Sequence, residues 1–137
     1  MLFDLIAADI TVVPVPGACA AIAALSASGL AVHRFAFEGF LPPKSGKRKN
    51  LLKKIAGEER TLIFYESPYR IQAAIADMLV VLGERRAVVA RELTKIHEEF
   101  MYGTLSSIAE RLGSAVIKGE FTVLVEGCPG KKKHSDQ

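Results

Sequence analysis

Four polar stretches carry the residue types of a binding site. In FYESPYR, Tyr65 and Glu66 end an apolar run and Ser67-Pro68 follows. A carboxylate at the carboxyl end of a buried strand can accept hydrogen bonds from a ligand, and that edge is where open α/β sheets bind ligands. The competing reading makes Ser67 an N-cap, Pro68 the first helical residue, and Glu66 a favourable charge at the helix start. ARELTKIHEE sets Arg91, Glu92, Thr94, Lys95, His97, Glu98 and Glu99 directly after a strand. So dense a polar group reads as a cleft rim, or as a surface turn with paired charges. His97-Glu98-Glu99 lacks the helical HExxH spacing, so no metal site is expected. PVPGACAA places Gly17 at a helix start, where backbone can approach an anionic ligand closely. It reads equally as a Pro-Gly turn before a helix of small residues. No GxGxxG is present, and a dinucleotide site is unsupported.

The fourth stretch, GFLPPKSGKRK, contains a Ser-Gly-Lys that suggests a phosphate loop. The suggestion fails on chemistry. Six residues separate Gly39 from Gly46 where a P-loop has four, and Arg48 stands where the magnesium-holding hydroxyl belongs. Pro42 and Pro43 remove two amides that would cradle phosphate. From Lys44 to Lys54 there are six basic residues (Lys44, Lys47, Arg48, Lys49, Lys53, Lys54) and no acidic one. Such a run is either a flexible arm that neutralises a polyanion's phosphates or a solvated charged loop. A nuclear address has no other support in the chain.

The elements that must position these groups are legible from periodicity. Helical spacing at Leu2, Leu5 and Ile6 reads as the end of a helix without an N-cap. Thr11–Val15 reads as a short strand, demoted to an edge or end by Pro14. A helix of small residues follows, with Gly29 as its C′ residue; Cys19 is expected to pack there as an apolar side chain. Phe35 and Phe37 alternate with Ala36 and Glu38. KRKNLLKKIAG reads as a short helix anchored by Leu51, Leu52 and Ile55. RTLIFYE, Ala87 to Glu92, EEFMYG and EFTVLVEG read as strands. Between them lie a helix from Ser67 to about Leu82, with an Ile71, Ile75, Met78, Leu79, Leu82 stripe, and a short helix capped by Thr104, with Ser107 in its first turn. This alternation specifies an α/β fold, a mixed sheet of about five strands flanked by helices.

Composition bounds the rest. Half of the 137 residues are hydrophobic, enough for a real core, and the net charge of +3 hides the basic run and a second cluster at Lys131–Lys133. Cys19 and Cys128 form no CxxC pair, and a reducing cytoplasmic location fits. No apolar run approaches the roughly 20 residues of a membrane span, and the first residues lack a basic signal-peptide region. No aromatic-rich RNP-type motif supports a stand-alone RNA-binding module.

Taken together and in order, VVPVPGACAAIAALSASGL, FAFEGFLPPKSGKRK, RTLIFYESPYR, VVARELTKIHEEFMYGTL and KGEFTVLVEG resemble the C-terminal half of the ribosomal RNA small subunit methyltransferase I family. That family belongs to the tetrapyrrole (corrin/porphyrin) methylase superfamily. The resemblance runs from about Leu2 to Gly127 and implies an S-adenosylmethionine-dependent enzyme that 2′-O-methylates a cytidine ribose in small-subunit ribosomal RNA. It implies a cofactor cleft between two domains, with residues 1–16 a remnant of the first domain and linker, 17–127 the C-terminal domain, and 128–137 a disordered basic tail. The chain is then expected to be a fragment, inactive by itself, whose missing N-terminal domain completes the cleft. The resemblance places Pro16, Gly17, Ala18, Cys19, Tyr65, Glu66, Gly119, Glu120 and Phe121 beside the cofactor. It makes Lys44, Lys47, Arg48, Lys49, Arg70, Arg91 and Lys95 candidate RNA contacts, leaves the catalytic residue unassigned, and suggests a homodimer. Cys19 and Ala18 replace the family's usual serine and proline; Tyr69 and Tyr102 stand where histidine and arginine are common. A small-molecule tetrapyrrole methylase is the alternative, disfavoured because its substrate offers a few carboxylates and no polyanionic track.

Overall fold

The strand Phe121–Val125 is buried at every position because it lies at the centre of a sheet. The computed structural model describes residues 1–113 and 117–130. Its strands are β1 (Phe35–Phe40), β2 (Thr61–Glu66), β3 (Arg86–Arg91), β4 (Glu99–Thr104) and β5 (Phe121–Val125), in the spatial order β1-β2-β5-β3-β4. β1 and β2 are parallel, and every other neighbouring pair is antiparallel. Because β5 opposes both β2 and β3, the strands β1, β2 and β3 share one direction. Their carboxyl ends therefore meet at one edge, together with the start of β5.

The helices are α1 (Leu2–Ala7), α2 (Ala20–Ser26), α3 (Ser45–Ile55), α4 (Ile71–Leu82) and α5 (Leu105–Gly113). Alternate strand residues point to opposite faces. Leu62, Phe64, Val89, Val123 and Val125 face α3, α4 and α5, where they meet Leu52, Ile71, Ile75, Met78, Leu105, Ile108 and Leu112. Ile63, Val88, Ala90 and Leu124 face the single short helix α2 through Ala21, Ala24 and Leu25. One face is closed by three helices and the other only partly covered. Removing a fully buried ring such as Phe64 from the closed face costs about 3–5 kcal/mol.

Several expectations are corrected. Residues 11–15 form no strand and are exposed; Pro14 and Pro16 lack the donors a ladder needs. Ser67 is not an N-cap. Its carbonyl accepts the N–H groups of Arg70 (3.1 Å) and Ile71 (3.0 Å) in a turn, and α4 starts at Ile71. Cys19 is exposed, not packed, because it is the extended residue preceding α2. Gly29 lies beyond the end of α2 with φ of +73°, turning the chain after Ala27 has closed the helix. The basic stretch is helical from Ser45 onward and is no flexible arm. The cap on α5 is reciprocal: the Thr104 N–H donates to Ser107 Oγ at 2.9 Å and the Ser107 N–H to Thr104 Oγ1 at 3.3 Å. The cluster Lys131–Lys133 and most of the tail expected to be disordered lie outside the described residues.

Candidate functional site

Glu66 ends β2 with its residue only 3% exposed. Its Oε1 accepts the Ser67 N–H at 2.9 Å and lies 3.4 Å from Arg70 Nε. Its Oε2 is buried without a hydrogen-bond partner, and so is Ser67 Oγ. A buried acceptor left without a donor costs about 1–3 kcal/mol, so an orphan at the ligand-binding edge of a sheet marks a place for a donor. Both residues line a cavity of about 410 Å³ with Ala20, Phe40, Tyr65, Pro68, Gly119, Glu120, Phe121 and Thr122. The walls are mainly apolar, with a few convergent polar groups, as small-molecule sites are.

β1, β2 and β5 supply the strand residues of this cavity, and the end of β3 lies beside it. The register sets Glu66 and Arg91 both opposite Phe121, which brings the ends of β2 and β3 to the start of β5. Tyr65 is held from the α2 side, where the Ala21 N–H donates to its hydroxyl oxygen at 3.3 Å. The approach to β5 is shaped by Gly119 (φ +97°), where a Cβ would overlap the Glu92 carboxyl group. Glu92 itself takes φ of +51° and Thr94 φ of +67°, strained for residues with side chains. The Glu92 N–H donates to the Glu120 carbonyl at 3.0 Å. Lys95 Nζ lies 2.8 Å from Glu92 Oε2 and 3.6 Å from Glu120 Oε2. Hydrogen bonding to Lys95 lowers the Glu92 pKa, and Glu92 in turn raises that of Lys95. Glu92 thus pins the Gly119–Glu120 backbone that forms one cavity wall.

Of the residues singled out in sequence, Tyr65, Glu66, Gly119, Glu120 and Phe121 come together here. Gly17, Ala18 and Cys19 line a neighbouring cavity of about 420 Å³ with Leu93 and Thr94, which shares Ala20 with the first as a lining residue. Pro16 lines neither. Phe40 and Thr122 were missed, since no motif marks them, and Glu92 was noted only as part of a charged rim.

The cations divide into two groups. Arg48 is 2% exposed and cannot serve a surface polyanion. Its Nη1 donates to Asp77 Oδ2 and its Nη2 to the Pro43 carbonyl, both at 2.9 Å, while Ser45 Oγ donates to the same Asp77 oxygen at 2.9 Å. This clamp fastens α3 to α4. Arg91 braces the following loop through the carbonyls of Lys118 (2.7 Å) and His97 (3.3 Å), and lies 3.7 Å from Glu99. Arg70 and Lys95 are ion-paired as described, and Lys49 lies 4.0 Å from Asp77. Lys44, Lys47, Lys53 and Lys54 are exposed and make no ion pair among the described residues. Among those residues no group of three His, Cys, Asp or Glu side chains is placed to hold a metal, and no helix is long and apolar enough to cross a membrane.

A sequence model of the Tetrapyrrole (Corrin/Porphyrin) Methylases matches residues 2–109. The chain belongs to that family. Among curated methylase relatives, Ribosomal RNA small subunit methyltransferase I of Haemophilus influenzae is 53% identical over 133 residues, 95% of this chain and 47% of that protein. The Synechocystis protein of the same name is 47% identical over 93% of this chain and 46% of its own. The chain spans about half the length of the curated relatives it matches. Solved methylases share the fold. Cobalt precorrin-4 methyltransferase aligns over 91% of this chain and 56% of that one, with a TM-score of 0.60 and 15% identity. Uroporphyrin-III C-methyltransferase from Thermus thermophilus, complexed with S-adenosyl homocysteine, aligns over 90% and 56%, with a TM-score of 0.56 and 22% identity. The family match stops at Ala109, short of β5 and the Gly119 wall.

Proposed function

We propose that this chain forms the C-terminal wall of an S-adenosylmethionine cleft in a methyltransferase acting on small-subunit ribosomal RNA, at the ribose 2′-hydroxyl of a cytidine. The carrying observation is the cavity at the carboxyl edge, where five expected residues from two segments converge beside the unpartnered Glu66 Oε2. Its chemistry fits an adenosine: apolar surface from Ala20, Tyr65 and Phe121 for a flat base, and an orphan carboxylate oxygen for an N–H or O–H donor. Gly119 keeps that wall free of side-chain bulk. Pro16, Gly17, Ala18 and Cys19, beside the adjoining cavity, are assigned to the same cofactor. When bound, S-adenosylmethionine supplies an electrophilic methyl group on a sulfonium. The residues of this chain bind and orient; none is assigned as the base that takes the hydroxyl proton.

The ribosomal RNA reading is supported by the names of the relatives and by four exposed lysines that make no ion pair among the described residues, each placed to displace counterions from a phosphate. Lys49, Arg70, Arg91 and Lys95 are assigned secondary parts, because each already has a partner. The other cleft wall belongs to an N-terminal domain like that in the longer relatives. The assembled enzyme is proposed to be a cytoplasmic homodimer, and this chain alone to be inactive.

The test supplies the N-terminal half of the Haemophilus influenzae relative, fused or in trans, and follows labelled methyl transfer. Transfer to small-subunit RNA or its particle, at a ribose 2′-oxygen, is the expected result. Transfer to a porphyrinoid with none to RNA would overturn the substrate reading. Tight S-adenosylmethionine binding by this chain alone, measured by calorimetry, would overturn the half-site reading.

A further inference from the structure

An irregularity in β1 decides where its aromatic side chains go. Phe37 lies opposite Ile63, Gly39 opposite Phe64 and Phe40 opposite Tyr65, so Glu38 is the extra residue of a bulge. Gly39 takes φ of +70°, which glycine adopts without the strain a side chain would bring. In a regular strand Phe37 and Phe40 would point to opposite faces. The bulge turns both toward Tyr65. Phe37 meets that ring edge-on at 5.0 Å and Phe40 at 5.8 Å between centroids. Phe37 nevertheless remains 50% exposed and Phe40 62%. The cluster sits on an outer strand, on the sparsely covered face of the sheet, and Phe40 and Tyr65 also line the cavity.

Charge beside the cluster indicates what covers it. Lys44 follows Phe40 by four residues, at most about 14 Å of chain, and Lys47 lies in the first turn of α3. Both are exposed and without ion pairs among the described residues. Exposed rings that accept base faces, next to cations that accept phosphates, are the two components of single-strand recognition. A duplex hides its base faces, so such a surface selects unpaired nucleotides.

We propose that Phe37 and Phe40, backed by Tyr65, form a stacking platform for unpaired bases of the RNA substrate, with Lys44 and Lys47 holding the adjoining phosphates. This rests on the ribosomal RNA reading above, and the test separates the two. Anisotropy with a labelled unpaired RNA oligonucleotide reports stacking and phosphate contacts together; competition by inorganic polyphosphate reports phosphate contacts alone. Phe40→Ala is expected to weaken RNA binding about 5- to 140-fold, the range for one stacked base. Polyphosphate affinity and the salt slope should stay unchanged, and Phe40→Tyr should retain RNA affinity. Replacing Lys44 and Lys47 together by glutamine should weaken both probes and flatten the salt slope. If the lysine variant behaves so while Phe40→Ala leaves RNA binding intact, or weakens both probes equally, the platform is overturned and the RNA reading stands. An unchanged lysine slope, or no RNA binding by the native chain, overturns both. If Phe40→Ala turns a sedimenting dimer into a monomer with RNA binding intact, the cluster is an interface between copies and the platform is again overturned.

Discussion

At the amino edge of β1, β2 and β3, the buried guanidinium of Arg85 donates to three carbonyls: Leu82 at 3.2 Å, Glu126 at 3.3 Å and Ala56 at 2.7 Å. At the opposite edge the buried carboxylate of Glu66 keeps one oxygen without a donor. The contrast extends beyond this pair. Among the described residues, Ser67 Oγ beside Glu66 is also buried without a hydrogen-bond partner. The amino edge instead closes on itself. Glu84 accepts from both the N–H and the hydroxyl of Ser106 at the start of α5, and the Cys128 N–H donates to the Glu58 carbonyl at 2.7 Å. One edge spends its polar groups on stability; the other withholds partners where a ligand can provide them.

Substitutions at the two edges test that contrast. The largest effect is expected from Arg85→Met, which takes the donor from one buried and two partly buried carbonyls, at about 1–3 kcal/mol each before relaxation. Urea unfolding should show a loss of about 3 kcal/mol or more; a loss below 1 kcal/mol would mean that water reaches these carbonyls and that the amino edge is less closed than it looks. Gly119→Ala comes next. It combines φ of +97° with an overlap against Glu92, and should cost about 1–3 kcal/mol while weakening S-adenosyl homocysteine binding in the completed enzyme. Glu66→Gln should change stability by less than about 1 kcal/mol, because the orphan oxygen has no protein partner to lose, yet lower cofactor affinity about tenfold. If unfolding and affinity move together instead, Glu66 is structural and the two edges do not differ in kind.

The smallest effect concerns acid. Arg60 holds the Glu58 pKa down to about 2, chiefly through its side-chain hydrogen bond, and Ser106 lowers that of Glu84. Lys95 does the same for Glu92 across the sheet. A carboxyl whose folded pKa is depressed stabilises the fold above its unfolded value, about 4.3, and that contribution fades as pH falls through the folded value. Thermal melts should therefore decline from about pH 4.3 toward pH 2, less steeply for Glu58→Gln. An unchanged acid profile would show these exposed pairs to be screened.

Legibility in the sequence followed the reach of each signal. β2 and β5 were readable because runs such as TLIFYE and FTVLV fit only a buried strand, and α4 because its apolar stripe repeats at helical spacing. Thr11–Val15 has strand-like residues but no pairing partner, and composition cannot supply one. Arg48 was misplaced because a charge run gives no sign that one member turns inward; only Asp77, 29 residues away, does that. Glu92 and Gly119 meet across the gap between β3 and β5, beyond any local pattern. The aromatic cluster escaped for a subtler reason. Period-two reading sends Phe37 and Phe40 apart, and a single left-handed glycine reunites them.

The clamp between Arg48 and Asp77 also acts as a phase reference. A helix turns about 100° per residue, so fixing Arg48 inward fixes the compass bearing of every other side chain on α3. Lys47 and Lys54 then lie to one side of that bearing and Lys49 and Lys53 to the other, two rows of charge set by one buried contact. Exchanging Lys47 and Arg48 would leave charge and composition identical while removing the reference. What a partner reads from this helix is therefore order as much as charge, and the order is anchored by the one cation it cannot touch.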